Sequence, residues 1–476
     1  MLIFFYFIEF IMPPLAFLLP LFARCFSTLR RQRIFSYFAS NADPSNTRLL
    51  KRFCLRFCGY VFYGLMLSVA LPSVLLPQAD ANTALPKLKI KTLTNKGNIT
   101  ITRLNQLNSS LNERNISLTP DGRLMFFLSD RGEQVWSRHP DSSERFDGDI
   151  WYSERVNDVW QEPKCLDSTI NTSRGEDEPS ISPDGQTVTF QSWRQGWREK
   201  GGPYWTAHLG GTNGASWTNV MGIGGGINLF FSEMRRKNKE QYATDGAAFS
   251  PNGRIFVVAC GQDYDGPMDL YWSRKAGKAG WLLCQKLAIS TEGNERSVFL
   301  AADGKTLYFA SDGFGGFGGL DIFKATLNDD GSVSDITNIG EPFNTKADDY
   351  GFVVSAAGDE AYFSRNDDMY MAKLGTAQNA VKPLPVVVVT GTVKDKTTST
   401  PLAAKITFRA KSSEEEEEVS SNAASGYFST VLMPGKSYEQ HIVVQGYKEV
   451  KRMIVAPSLQ RSKILRFDVD MQTASK

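Results

Sequence analysis

Between Asn98 and Lys373 the apolar residues alternate in short runs, with no helical interval between them, and one run–turn–run pattern returns five times. SLTPDGRLMFFLSDR begins at Ser117, SISPDGQTVTFQSWR at Ser180, AFSPNGRIFVVACGQ at Ala248, FLAADGKTLYFASDG at Phe299 and VVSAAGDEAYFSRND at Val353. Each reads as a strand, an Asx-Gly or Ala-Gly turn and a second strand, with turn glycines Gly122, Gly185, Gly253, Gly304 and Gly358. A third strand follows as DIWYS (Asp149), DLYWS (Asp269), DIFKA (Asp321) and DMYMA (Asp368), weakened to PYWTA from Pro203 in the second unit. A fourth is opened by Trp160, Trp217 or Trp281, with Val333 in that place in the fourth unit. An acid precedes each first strand: Glu113, Glu178, Asp245, Glu295 and Asp349. Four short strands per repeat are the blades of an all-β propeller, because one blade buries its faces only against its neighbours. The pattern predicts five blades over residues 98–373, with six as the alternative. A plain two-sheet sandwich would not repeat the hairpin.

The fifth unit stops at DMYMAKL without a fourth strand. NITITRLNQLN, Asn98–Asn108, precedes the first unit as each fourth strand precedes the next. It is expected to cross back and pair beside Asp368–Lys373, so that one blade is built from both ends of the ring and no edge stays open.

SDGFGGFGGLDIF, Ser311–Phe323, satisfies G-x-G-x-x-G at Gly313, Gly315 and Gly318. A dinucleotide site needs a helix N-terminus after those glycines. LDIFKATL alternates as a strand instead, so the glycines are expected to form a hairpin turn with positive φ. No cofactor is expected.

Together, SPDG, the aromatic strand after it, the glycine-rich turn and DIF or DLYW resemble the Pro-Asp type of WD-like repeat of TolB-like propellers. GEDEPSISPDGQTVTFQS, Gly175–Ser192, and GGFGGLDIF, Gly315–Phe323, are most similar to propellers of OmpA-family, peptidoglycan-associated proteins of the bacterial envelope. The resemblance implies a propeller over about Asn98–Lys373. It is specific for fold and much less so for function, since propellers host many activities.

LGTAQNAVKPLPVV lacks periodicity and holds two prolines, which predicts a linker at 374–385. Residues 386–471 then read as five strands. Gly391, Pro401-Leu402, Gly426-Tyr427-Phe428, Gly435, Tyr438 and Gly446-Tyr447 resemble the carboxypeptidase regulatory-like domain, a small prealbumin-like β-sandwich. Glu414–Glu418 is expected as a solvated loop. In the OmpA family this order is usually followed by an OmpA-like, peptidoglycan-gripping domain. The expectation here is that such a domain does not follow and that peptidoglycan binding is not carried over.

Residues 1–81 read as a leader. Arg48, Lys51, Arg52 and Arg56 precede the apolar run Tyr60–Pro77, and Ala79-Asp80-Ala81 supplies a small-residue cleavage site, the pattern of a secretory signal. Its depth in the chain implies a start assigned too far upstream, or a membrane helix at Met1–Phe22. Export to the periplasm or the periplasmic face of the outer membrane follows, with the mature chain beginning near Asn82. The 476 residues carry a net charge of +2, which gives no reason to expect a nucleic-acid partner. Past the leader stand Cys165, Cys260 and Cys284, expected as free thiols because strands two apart in a sheet are too distant for a disulfide.

His139, His208 and His441 have no partner at metal-ligand spacing, and no G-x-S-x-G elbow occurs. Acids before the first strands would converge near the channel mouth, where calcium is the cation they would take. DYDG (Asp263) and FDGD (Phe146) are similarly acidic without completing a calcium loop. The expectation is a non-enzymatic envelope scaffold binding envelope proteins, such as outer-membrane or secretion-machinery components. The alternative is a propeller enzyme acting on glycans or peptides, whose mark would be a Tyr, His or carboxylate cluster at the mouth; none is evident in the sequence. The candidate partner-binding loop is Gly222–Gly246, with an apolar patch at Ile227–Phe231 and basic residues Arg235, Arg236 and Lys237.

Overall fold

The computed structural model describes residues 90–474 apart from 96–98, 132–147, 211–215, 239–241, 278–279, 376–380 and 413–415. The leader, and with it the cleavage site, lies outside the described residues, as do His139 and the first half of the FDGD stretch, Phe146 and Asp147.

Five sheets form the propeller. Blade 1 comprises Glu113–Leu118, Leu124–Ser129 and Asp149–Val156, with Val159–Trp160 and Lys164–Cys165 both paired to the third strand. Blade 2 is Glu176–Ile181, Thr187–Ser192, Tyr204–Gly210 and Ser216–Gly222. Blade 3 is Ala243–Phe249, Ile255–Gly261, Met268–Arg274 and Gln285–Lys286. Blade 4 is Glu295–Leu300, Thr306–Ser311, Asp321–Leu327 and Val333–Asn338, extended by a parallel strand, Lys91–Thr92. Blade 5 is Asp349–Val354, Glu360–Arg365, Asp368–Lys373 and, from the other end of the ring, Thr100–Arg103. The ring therefore closes as the sequence implied: Thr100 to Arg103 pair antiparallel with Lys373 to Tyr370, and Arg103 forks onto the Asp368 carboxylate.

Each blade places its middle strands in the core. Tyr204, Tyr308, Tyr362, Phe126, Phe190 and Phe256 are among the largest side chains removed from solvent, and aromatic rings join the aliphatic core residues between blades. Cys260 and Cys284 are buried free thiols, and burial pushes the Cys284 thiol up to about 12.

Three expectations are corrected here. Gly222–Gly246 is not a loop, because Gly225–Asn238 forms a helix, α1. Its Ile227, Phe230 and Phe231 sit in the core with Tyr204, Phe256 and Trp281, while Leu229 stays half exposed. The supposed apolar patch is the face that wedges α1 between blades 2 and 3. Second, Trp281 makes only an isolated bridge to Lys275, and the fourth strand of blade 3 is Gln285–Lys286. Third, of the glycines in the G-x-G-x-x-G stretch only Gly315 has positive φ, at 70°. Gly313, Gly316, Gly318 and Gly319 are needed for close approach: a Cβ on them would strike Thr291, Asp321, the Thr345 and Ala347 carbonyls, and Asp348. The stretch is a long loop folded tightly around the Asp321 carboxylate, which accepts from the Phe317 N–H at 2.6 Å.

The C-terminal domain is a two-sheet sandwich with eight strands, three more than the sequence pattern predicted. One sheet orders Tyr427–Leu432, Val387–Asp395 and Lys463–Arg466, with Val469–Met471 also on the central strand. The other orders Glu416–Ser420, Lys405–Ala410, Ser437–Val443 and Val450–Val455. Part of the glutamate run thus lies in a strand, where Arg409 pairs with Glu416. Alternation points Glu416 and Glu418 away from the core, whereas Glu417 shares a face with the buried Val419 and is itself half-buried at the strand's end. Glu414 and Glu415 lie outside the described residues.

The sandwich rests on the hairpin turns of all five blades. Tyr427 donates to Asp121 at 2.7 Å beneath the Arg123 guanidinium in blade 1. Ser420 meets Asp184 and Gln186 in blade 2, and Arg254 of blade 3 donates to the Glu416 carbonyl. Asp303 of blade 4 accepts from the Leu384 N–H, and Ala302 and Ala356 of blades 4 and 5 pack with Val386, Val388 and Val431. One end of the channel is therefore capped. The described parts of the linker are pinned as well, since Tyr308 donates its hydroxyl to the Val381 carbonyl.

Candidate functional site at the uncapped channel mouth

Each first strand begins at the opposite end of the channel, and the same three steps recur there. The first is a clamp. Glu113, Glu176, Glu295 and Asp349 are buried, and each accepts from the N–H and hydroxyl of a Ser or Thr four residues earlier: Ser109, Thr172, Thr291 and Thr345. Ser129, Ser192 and Ser311 donate to the three glutamates, and Arg365 to Asp349. These carboxylates lock one blade's first strand to its second and to the incoming loop. They are structural. Turn register puts Glu176 and Thr244 in this ring, so Glu178 and Asp245 are not the repeat equivalents that the sequence alignment made them.

The second step carries Arg114, Asp177, Asp245, Arg296 and Tyr350, one from each blade. At the third, Asn115, Glu178, Gly246, Ser297 and Gly351 all have positive φ, between 52° and 102°. This shared bulge costs strain at the three non-glycine positions and turns the chain into the channel. Glu178 spends that strain on a bridge: it is 2% exposed, accepts from the Tyr204 hydroxyl at 2.5 Å, and accepts from the Gly246 N–H of blade 3 at 3.0 Å. Asn115 donates to Asp177 at 2.7 Å, joining blade 1 to blade 2. Arg296 pairs with Asp245 at 3.1 Å and donates to the Tyr264 and Gly266 carbonyls, which holds the DYDG loop against the mouth. Tyr350 donates to Asp367.

Arg114 is at the centre of this group and is poorly matched. Its ion-pair contact among the described residues is Asp130 at 3.7 Å, and its Nε has no hydrogen-bond partner among them. Burial alone would lower its pKa. The nearby Tyr264, Asp177, Asp130 and Asp245 outweigh that and push the guanidinium above its ordinary value, so it stays charged. Burial raises Asp177 against the pull of Arg114, and raises Glu178 with help from the Asp177 charge. The Asp245 charge, then burial, lifts the Tyr264 hydroxyl.

A converging Tyr and carboxylate cluster is thus present at the mouth, contrary to the sequence reading. Arg114 and Asp177 were missed because their side chains differ from blade to blade, and repeat analysis searches for what recurs. Among the described residues no three His, Cys, Asp or Glu side chains are arranged to hold a metal ion. His208 contacts Thr187, and His441 contacts Glu449. Arg235 and Arg236 are not at the mouth: they line a shallow surface depression on α1 with Arg198, Glu199, Ser232 and Glu233. Burial and the Arg198 charge hold Arg235 below its ordinary value. Lys237 lies in the same helix.

No family model matches the chain, and no curated protein is detectably similar to it. Among solved structures it is similar to a putative TolB from Agrobacterium tumefaciens, at 14% identity over 70% of this chain and 96% of that one, with a TM-score of 0.32. TolB from Acinetobacter baumannii matches at 16% identity over 56% of each chain, with a TM-score of 0.31. The periplasmic gluconolactonase of Pseudomonas aeruginosa matches at 10% identity over 72% of this chain and 88% of that one, with a TM-score of 0.30. Likeness at this level fixes no activity. The five-bladed ring rests on its own strand pairing. Among the described residues, no helix is long and apolar enough to cross a membrane.

Proposed function

We propose that the chain is an exported, non-enzymatic recognition protein of the cell envelope that receives a partner at its uncapped channel mouth. The observation that carries this reading is Arg114, a charged, half-buried guanidinium with unmet donor capacity among fixed carboxylates. A guanidinium of this kind matches a carboxylate or carbonyl oxygen offered by a partner segment. The acids around it support binding over turnover, because Asp177 and Glu178 already accept internal hydrogen bonds and act as fixed walls. The resemblance to OmpA-family envelope propellers and to the regulatory-like sandwich points the same way. Arg235, Arg236 and Lys237 on α1 are a secondary contact in this proposal, set on a rigid element. The test is capture from crosslinked envelopes. Arg114→Ala is expected to lose the partner taken by the native protein while the chain stays folded, at a lowered melting temperature because Asp130, Asp177 and Asp245 lose their cation, and replacing the α1 basic residues by Ser to weaken capture. Full capture by Arg114→Ala would remove the proposal.

One observation favours the runner-up, an enzyme acting on glycans or peptides. Asp177 and Glu178 are adjacent carboxyls that burial holds above the usual carboxylate range, a condition that acid–base catalysts share. Turnover of a glycan or peptide panel that Asp177→Asn and Glu178→Gln both abolish would establish it in place of the binding reading.

A further inference from the structure

A cavity runs along the channel from Ile116, Pro179, Ala247 and Val298, just inside the mouth bulge, to the hairpin turns that carry the sandwich, and no charged residue of the mouth lines it. It has a volume of about 460 Å³, within the roughly 300–1,000 Å³ usual for small-molecule sites. It runs from the inner strands of the ring outward between blades 2 and 3, where Met221 is 60% exposed at its rim. Its walls are mainly apolar, with Ile181, Phe249, Leu300 and Trp281 among them and Ser and Thr side chains between. The hydroxyls in the wall are largely spent: Thr119 donates to Asp121, Ser182 to Asp184 and Ser250 to Asn252, each within its own hairpin turn. No acid lines the cavity. Lys275 is its one charged lining residue, with Nζ 5.9 Å from the Trp281 ring and no ion pair among the described residues.

We infer that this cavity binds a small amphiphile with an apolar body and an anionic head, the head meeting Lys275 at the rim. An apolar enclosure without acids excludes a cationic ligand and gives a neutral polar one few partners. Burying a hydrocarbon chain there gains affinity with every methylene, and a single exposed cation selects the sign of the head. The site is independent of Arg114.

The test is calorimetric titration of the full chain with octanoate, decanoate and dodecanoate below their micelle-forming concentrations, beside decanol and decyltrimethylammonium. Affinity for the carboxylates is expected to rise about fourfold per methylene until the cavity is full. Lys275→Gln is expected to weaken decanoate about threefold while leaving decanol unchanged. Val298→Phe, which fills the cavity wall from a first strand, is expected to abolish binding. If that variant fails to fold, the chain-length series decides. No gain with chain length, or binding unchanged in a folded Val298→Phe, would overturn the cavity site. Equal binding of the three head groups would overturn its preference for an anion.

Discussion

At the scale of single residues, this propeller holds carboxyls where water does not reach them, among them Glu113, Glu176, Glu178, Glu295 and Asp349. Asp149, the first residue of the third strand in blade 1, is a clear case: it is buried beside Glu176, and burial, then that neighbour's charge, pushes it up to about 7. A carboxyl raised in the folded state holds its proton there more tightly than in the unfolded chain, so the folded state loses ground as pH rises. The loss begins near the unfolded value of about 4 and levels off above about 7. Asp149→Asn should stabilise the protein by about 2 kcal/mol more at pH 8 than at pH 5. Chemical denaturation at the two pH values checks this, and equal effects at both would show that Asp149 is charged throughout. The direction of such shifts was not legible in the sequence. Asp149 resembles Asp269, Asp321 and Asp368 in the repeat, yet their surroundings differ: Asp269 pairs with Lys286, and Asp368 faces Arg103.

At the scale of elements, hydrophobic alternation was decisive where a strand is half of a repeated hairpin, and failed where tertiary packing decides. The hairpins, the third strands and the closing strand were all readable, because turn glycines and β-branched or aromatic runs constrain them locally. Helix α1 was not. GGINLFFSEMRRKN opens with two glycines and carries no acid in its first turn, so its ends give no start signal. Its apolar residues are stabilised by Tyr204, Phe256 and Trp281, which lie elsewhere in the chain. The closing strand gives the sharper test. Thr100–Arg103 contributes only four residues, but among the described residues it is the strand that covers the open edge of Asp368–Lys373. Thr102→Pro removes a backbone donor from that ladder, because the Leu104 N–H bond to the Met369 carbonyl puts Thr102 at the next hydrogen-bonded position, opposite Met371, and it should cost about 3 kcal/mol. The loss should appear in the single unfolding transition of the ring; a separate early transition confined to blade 5 would mean that closure is not cooperative.

At the scale of the whole chain, the sandwich and the ring act as one body because contacts to five hairpin turns are spread around the channel end. Most of those contacts are polar and single. Tyr427 is the exception, since it stacks under Arg123 at 3.9 Å while its hydroxyl donates to Asp121 at 2.7 Å. Burial and the Asp121 charge hold that hydroxyl protonated, so the bond persists across the neutral range. Removing the hydroxyl takes one donor from Asp121, which still accepts from Arg123 and Thr119, whereas removing the ring also loses the stacked guanidinium. Tyr427→Phe should therefore cost about 1 kcal/mol and Tyr427→Ala about 1 kcal/mol more. Calorimetry distinguishes where the energy is felt. If ring and sandwich unfold together, both variants lower one transition and the calorimetric and van't Hoff enthalpies stay equal. Two resolved transitions in the native protein, with only the sandwich shifted by Tyr427→Ala, would mean that the cap can lift from the ring while both remain folded, exposing the cavity beneath it.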